Sequence, residues 1–178
     1  VTEEILIAGF GGQGVLSMGM TLAYAGMIEN KHVVWMPSYG PEMRGGTANC
    51  TVVISDKKVS SPIISNFDSL IILNQPSMEK FESYAKPEGK IIYESNNIIH
   101  PPTRKDVDVY NIPALSESVK LKNKKIMNMI ILGSYLATNS IIKIKSILEA
   151  LKKVLPERHH HMIPLNKLAL IRGGELIL

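Results

Sequence analysis

Glu3-Glu4-Ile5-Leu6-Ile7-Ala8-Gly9-Phe10-Gly11-Gly12-Gln13-Gly14-Val15 joins a short apolar run to a glycine cluster, and Val15 to Ile28 continues as a long apolar stretch rich in small residues. A short apolar run that enters glycines is the pattern of a strand buried on both faces of a parallel sheet. The stretch from Gly14 fits a buried helix ending near Glu29-Asn30-Lys31. Strand, glycine turn and helix in this order open an α/β fold.

Outward from that unit the alternation continues. His32 to Met36 supplies a second strand, and the prolines and glycines of Pro37 to Gly46 mark a long loop. Thr47 to Ser55 is β-branched with partial period-two alternation, and Asp56-Lys57-Lys58 permits a turn into a short returning strand at Val59, a hairpin addition. Asp68 to Leu73 is a further buried strand, Pro76 opens a helix through Tyr84, and Lys90 to Tyr93 and Val107 to Ile112 are strands. His100 to Lys105 is expected as a surface loop. Helices are expected over Lys124 to Thr138 and Lys143 to Leu155, with a last one over Leu165 to Ile171 stopped by Gly173-Gly174. The expectation is a single domain over residues 1–178. Its fold class is α/β, a three-layer α/β/α arrangement with a mainly parallel Rossmann-like sheet, a hairpin addition and a helical C-terminal part.

Composition narrows the function classes. A chain of 178 residues with 45% hydrophobic and 20% charged residues suits one globular domain without staples. A mean hydropathy of +0.08 suits a subunit with interfaces. The formal charge is +4, but the basic residues are scattered apart from Lys120 to Lys125 and Lys143 to Lys153, which read as solvated helix faces rather than nucleic-acid stripes. The one cysteine, Cys50, supplies neither a disulfide nor the thiolate series of an iron–sulfur cluster or zinc site. With no leader-like or membrane-spanning run in the sequence, a cytoplasmic chain is expected, without membrane or nucleic-acid partners.

Gly9-Phe10-Gly11-Gly12-Gln13-Gly14 matches G-x-G-x-x-G between a strand and a helix. Glycines allow close backbone approach, and the N–H groups at the start of the helix can hold a phosphate or carboxylate. Gly9, Gly11, Gly12, Gln13 and Gly14 are therefore candidate anion-binding residues. A purely structural turn, letting helix and sheet pack closely, explains the same glycines. The dinucleotide reading further asks for an acidic residue about 20 positions on, at the end of the second strand, where this sequence has Trp35-Met36-Pro37. Gly14 does not lead into Lys-Ser or Lys-Thr, so the nucleoside-triphosphate loop is absent.

Ser38-Tyr39-Gly40-Pro41-Glu42-Met43-Arg44-Gly45-Gly46 follows the second strand and leaves the same sheet edge as the glycine turn if both strands are parallel. Arg44 offers a planar fork for carboxylate or phosphate, with Glu42 able to orient it and Gly45 giving backbone access. The same residues can brace the loop internally or, with Tyr39 and Met43, form a protein interface. Three features have simpler explanations. His159-His160-His161 is a poor metal site, since consecutive residues on a helix point about 100° apart. Cys50 reads as a small buried apolar residue, and Asn74-Gln75-Pro76 as a helix cap.

Gly9 to Val15 together with Ser38 to Gly46 closely resembles the two signature segments of the gamma subunits of 2-oxoacid:ferredoxin oxidoreductases. The resemblance continues through Val52 to Ser55, Asp68 to Gln75 and Asn128 to Leu136, and the Ser-Tyr-Gly-Pro-Glu-Met-Arg form of the loop is closer to the 2-oxoisovalerate and 2-oxoglutarate branch than to the pyruvate branch. It implies an enzyme that oxidatively decarboxylates a 2-oxoacid, captures the acyl group on coenzyme A and passes electrons to ferredoxin. It also implies that this chain is non-catalytic, with no tightly bound cofactor or metal of its own. Thiamine diphosphate, magnesium and iron–sulfur clusters belong to alpha, beta and delta partner chains. Gly9, Gly11, Gly12, Gln13, Gly14, Ser38, Tyr39, Glu42, Arg44 and Gly45 become candidates for a coenzyme A edge or a subunit interface. The alternatives are a stand-alone nucleotide-dependent oxidoreductase using the glycine turn, and an independent binding or scaffold protein.

Overall fold

The computed structural model describes residues 1–38, 47–61 and 63–177. Side-chain alternation along the first strand, β1 (Thr2–Phe10), sets the layers, because Ile5 and Ile7 enter one core and Leu6 and Ala8 another. Both faces are buried, so the strand shows as an apolar run instead of an apolar/polar alternation. The other strands are β2 (His32–Ser38), β3 (Thr47–Ser55), β4 (Phe67–Ile72), β5 (Ala85–Glu94) and β6 (Asp108–Ile112). They form one sheet in the order β2-β3-β1-β4-β5-β6. The pairs β1/β4, β4/β5 and β5/β6 are parallel; β3 alone is reversed, pairing antiparallel with both β1 and β2.

The helices are α1 (Val15–Ile28), α2 (Gln75–Phe81), α3 (Ala114–Lys120), α4 (Met127–Ala137), α5 (Ile144–Val154) and α6 (Ile163–Glu175). Met18, Leu22 and Ala25 of α1 share the first core with α4, α5 and α6. Met78 and Phe81 of α2 seal the second core with Leu70, Ile72 and Ile91. The three-layer α/β/α arrangement and the mainly parallel sheet are as expected, with one face far more heavily covered than the other.

The hairpin addition exists but is built differently. No strand forms at Val59. β3 already carries β1 on one edge and β2 on the other, so no edge is left for a returning strand. The antiparallel pair is β2 with β3, joined through the long loop. A helix not anticipated, α3, has only the seven residues Ala114–Lys120, too short to display helical periodicity. The stretch from His100 to Lys105 is a loop, tied down where the Thr103 and Arg104 N–H groups donate to the Glu82 carboxylate.

Gly173-Gly174 does not stop the last helix, which runs on to Glu175. A Cβ at Gly173 would lie 1.9 Å from the Ile130 carbonyl oxygen, and one at Gly133 would lie 2.0 Å from that of Leu170. The glycines therefore let the backbones of α4 and α6 touch, and the Ser134 hydroxyl donates across the contact to the Gly173 carbonyl at 2.8 Å. No helix of the described residues is long and apolar enough to cross a membrane.

Candidate functional site

The glycine turn lies at the C-terminal edge of the parallel strands. Gly11–Gln13 forms a 3₁₀ turn, Gly14 takes φ 77° in the left-handed region, and α1 starts with no side-chain cap on its first N–H groups. The helix after β1 goes to one face of the sheet and the helix after the adjacent β4 goes to the other. That divergence creates the crevice at which open α/β sheets place ligands. Here the Gln13 side chain lies across the crevice. Its Oε1 accepts from the Phe10 N–H at 2.7 Å and its Nε2 donates to the Leu73 carbonyl at 3.1 Å, while the Leu73 N–H donates to Ala8. Gly9 makes room for this bridge, since a Cβ there would come within 2.6 Å of Gln13 Oε1 and 2.8 Å of Leu73 Cβ. Gly9, Gln13 and Gly14 are thus committed to closing the turn.

Gly12 is different, because a Cβ at that position would meet nothing within 4 Å. Gly12, Gln13 and Gly14 form one wall of a cleft of about 320 Å³. Asn97, Lys124, Lys125 and Asn128 bring polar groups to the other side. Both lysines are exposed, and neither makes an ion pair among the described residues. Backbone at Gly12, the uncapped start of α1 and two ammonium groups suit an anion. Behind this wall the fully buried Glu94 carboxylate, at the end of β5, accepts from the N–H groups of Asn97 at 2.9 Å and Leu115 at 3.1 Å. That pairing fixes the far side of the cleft.

The sequence reading missed the lysines by treating Lys120 to Lys125 as a solvated helix face. Lys124 and Lys125 instead lie in a 3₁₀ turn immediately before α4, at the positive end of a helix dipole where cations are disfavoured. Two adjacent lysines at a helix start are the signal that could have found them. Asn97 and Asn128 carried no comparable signal.

The sheet order also bears on the dinucleotide alternative. β1 has the parallel β4 on one side but the reversed β3 on the other, and β2, one strand further out, ends in Met36-Pro37-Ser38 without a carboxylate. The position that holds the ribose-binding acid in the dinucleotide fold is therefore filled by a different element.

Because β2 and β1 both run antiparallel to β3, they run parallel to each other, and Ser38 and Phe10 leave the sheet at the same edge. Ser38 is exposed and stands two strand spacings, about 10 Å, from the turn. Tyr39, Glu42, Arg44 and Gly45 lie outside the described residues.

Other singled-out residues take definite places. Asn74 caps α2, its Oδ1 accepting from the Ser77 N–H at 2.9 Å. Gln75 ties the start of α2 to His100 by a reciprocal pair of hydrogen bonds. Cys50 is buried against α1, and burial pushes its thiol up to about 12. A His160 ring nitrogen is 3.0 Å from the Leu155 carbonyl, while the rings of His159 and His161 stand 6.4 Å apart. Among the described residues, no three His, Cys, Asp or Glu side chains come together as a metal-binding group.

Residues 4–176 match the pyruvate ferredoxin/flavodoxin oxidoreductase family. The chain is 43% identical over 134 residues to the ketoisovalerate oxidoreductase subunit VorA of Methanothermobacter thermautotrophicus, covering 75% of this chain and 28% of that relative. It therefore spans less than a third of VorA. It is 32% identical to the 2-oxoglutarate synthase subunit KorC of Methanocaldococcus jannaschii, covering 98% of this chain and 93% of the relative. The crystal structure of the keto/oxoacid ferredoxin oxidoreductase gamma subunit from Geobacter sulfurreducens PCA superposes with a TM-score of 0.83 at 25% identity, covering 98% of each chain. The chain belongs to the pyruvate ferredoxin/flavodoxin oxidoreductase family, as a gamma-type domain of it.

Proposed function

We propose that this chain is the non-catalytic gamma component of a multi-subunit, coenzyme A-dependent 2-oxoacid:ferredoxin oxidoreductase. The observation that carries the reading is the family match over residues 4–176. The complex oxidatively decarboxylates a 2-oxoacid to an acyl-coenzyme A and delivers electrons to ferredoxin. A branched-chain or dicarboxylic 2-oxoacid is favoured over pyruvate by the names of the two relatives, ketoisovalerate oxidoreductase and 2-oxoglutarate synthase. Thiamine diphosphate, magnesium and iron–sulfur clusters are held by alpha, beta and delta chains, in the cytoplasm.

Within that assembly the contribution of this chain is positional. Gly12, the start of α1, Lys124 and Lys125 offer an anion-binding edge, Ser38 leaves the sheet at that same edge, and Tyr39, Glu42, Arg44 and Gly45 follow it in sequence. The coenzyme A phosphates are the anions of the reaction that such an edge fits.

The test is gentle purification of the chain from its native cell. The expected result is co-purifying chains, thiamine diphosphate, iron–sulfur absorbance and coenzyme A-dependent oxidation, fastest with 2-oxoisovalerate or 2-oxoglutarate. A lone chain in preparations that preserve other labile complexes overturns the subunit reading. In the purified complex, Arg44→Ala is expected to raise the coenzyme A concentration needed for half-maximal turnover or to weaken assembly; if neither changes, the loop plays no part in the site.

A further inference from the structure

Helix α1 leaves the glycine turn and lies on the outer strands of the sheet. A Cβ at Gly19 would come within 2.5 Å of Cys50 Sγ, and one at Gly26 within 2.5 Å of Val33 Cγ1, so the two glycines let the helix settle onto β3 and β2. Val15, Met18, Leu22 and Ala25 fill the core beneath it. At about 100° per residue the opposite arc of the helix carries Leu16, Met20, Tyr24, Met27 and Ile28, with Ser17 as its one polar member. Tyr24, Met27 and Ile28 are 39%, 57% and 44% exposed, and Leu16 and Met20 are half-buried.

A solvated helix is built differently. It keeps charged or polar residues on its outer face, and a helix that is apolar all round is ordinarily buried. The neighbouring α5 follows that rule, with Lys145, Glu149, Lys152 and Lys153 exposed. The fourteen residues of α1 include no Asp, Glu, Lys or Arg. β2 continues the pattern. It is the outermost strand, pairs with β3 alone among the described strands, has no Asp, Glu, Lys or Arg, and leaves Met36 exposed. Sheet edges open to water are ordinarily guarded by charge, and here only Pro37 interrupts the row of edge donors.

Area and position select the occupant. The exposed helix face is about 21 Å long and about 10 Å wide, on the order of 200 Å². A stable complex takes about 800 Å² from each partner, so a second copy meeting α1 with α1 falls well short. The occupant must reach beyond the helix. Leu16 lies in the first turn of α1, and Phe10, at the glycine turn before it, is also exposed, so the apolar face leads to the sheet edge where Ser38 emerges. More than two thirds of VorA lies outside its match to this chain, so in that relative the matching region shares its polypeptide with a much larger body. Such a body is held beside it at high effective concentration.

We propose that α1 and the outer edge of β2 dock on the catalytic chain of the oxidoreductase, which lays an apolar surface over Tyr24 and Met27. The inference rests on the subunit reading and names the face by which the subunit is held. Docking there seats the glycine turn against the catalytic chain, because α1 begins directly after Gly14.

The test compares affinity-tagged wild type, the double variant Tyr24→Glu/Met27→Glu and the control Leu168→Glu, each expressed in the native cell. Leu168 is exposed on α6, a different helix. All three changes lie at exposed positions, so the isolated proteins are expected to melt within about 2 °C of one another. The double variant is expected to bring down at least tenfold less of the catalytic chain, since it forces unpaired carboxylates into an apolar contact, and the control is expected to match wild type. Amide hydrogen exchange at His32 to Met36 is expected to be slower in the purified wild-type complex than in the isolated chain. That measurement needs no variant, and unchanged exchange overturns the docking even if the double variant is unstable. Full recovery of the catalytic chain by the double variant overturns it too, as does equal loss by the control. A concentration-dependent dimer of the isolated chain that Tyr24→Glu/Met27→Glu abolishes gives the face to a second copy instead. A wild type that brings down no other chain is the failure of the subunit reading itself, and this docking falls with it.

Discussion

At Gly12 a side chain would enter open space, whereas at Gly9 it would press on Gln13 Oε1 and Leu73 Cβ at 2.6 and 2.8 Å, and at Gly14 on the Asn128 amide at 2.5 Å with φ 77°. These contacts separate glycines that the G-x-G-x-x-G pattern treats alike. Gly9→Ala and Gly14→Ala are expected to lower stability by about 1–3 kcal/mol, the range for overpacking and left-handed strain. Gly12→Ala is expected to stay within about 0.5 kcal/mol. Urea denaturation of the three variants checks the order, and a Gly12 variant as unstable as the others would mean that the whole turn is structural. Gln13 was legible as a site candidate, but its role was not. A glutamine that ties two strand ends together is visible only once β1 and β4 are known to be neighbours. Arg44 had a clear chemical reading, yet what placed a cation beside the turn among the described residues was Lys124 and Lys125. They come from more than 100 positions further along the chain.

Among the elements, the contact between α4 and α6 makes the sharpest demand on sequence. Replacing Gly173 by alanine would put a Cβ 1.9 Å from the Ile130 carbonyl oxygen and 2.8 Å from the Ser134 nitrogen, both backbone atoms of α4. Backbone cannot rotate away as a side chain can, so the helices must separate and the Ser134 to Gly173 hydrogen bond must lengthen. Gly173→Ala is expected to cost about 2–4 kcal/mol in thermal or urea unfolding. Gly174→Ala serves as the control, since a Cβ there finds its nearest neighbour at 3.8 Å, and it is expected to be neutral or slightly stabilising in a helix. Equal losses at both positions would show that the close approach is not what Gly173 provides. The paired glycines also explain where element reading stopped. Glycine at the end of an apolar periodic segment ordinarily marks a helix stop. The same residue marks close helix contact when a partner backbone lies against it, and the sequence does not reveal the partner. The buried strands were legible for the opposite reason: with both sheet faces covered, β1, β4 and β5 each read as apolar runs whatever packed on them. Strand pairing was not contained in those runs, so the returning strand was placed at Val59 although β2 had taken that edge of β3.

At the scale of the whole molecule, two carboxylates join distant elements and titrate in opposite directions. Glu3 on β1 accepts from the Ser69 hydroxyl of β4 at 2.6 Å and is 3.4 Å from the Tyr135 hydroxyl of α4. Burial pushes its carboxyl up, and repulsion from Asp68 adds to the rise, while the Ser69 hydrogen bond and Lys90 oppose it. Glu117 on α3 accepts from Arg172 of α6 and from Lys120, both at 2.7 Å, and these two partners, Arg172 first, hold its carboxyl below the ordinary value of 4.5. A carboxyl raised on folding favours the folded state below its unfolded value and loses that contribution as pH rises through the folded value. A lowered one contributes above its unfolded value and loses it as pH falls through the folded value. Glu3→Gln is therefore expected to gain on the wild type as pH climbs from about 4.5 towards neutrality, because glutamine keeps an acceptor for Ser69 and has no charge to bury. Glu117→Gln is expected to lose about 1–2 kcal/mol at neutral pH, where the ion pairs are intact, with the deficit shrinking as the solution is acidified below about pH 4. Urea unfolding of both variants and the wild type between about pH 3 and pH 7 separates the two effects. Parallel displacement of either curve at every pH would mean that the residue acts through packing alone. Crossing of the curves in opposite senses would place an ionisable brace at each end of the α4 layer, one linking it to the sheet and the other linking α3 to α6.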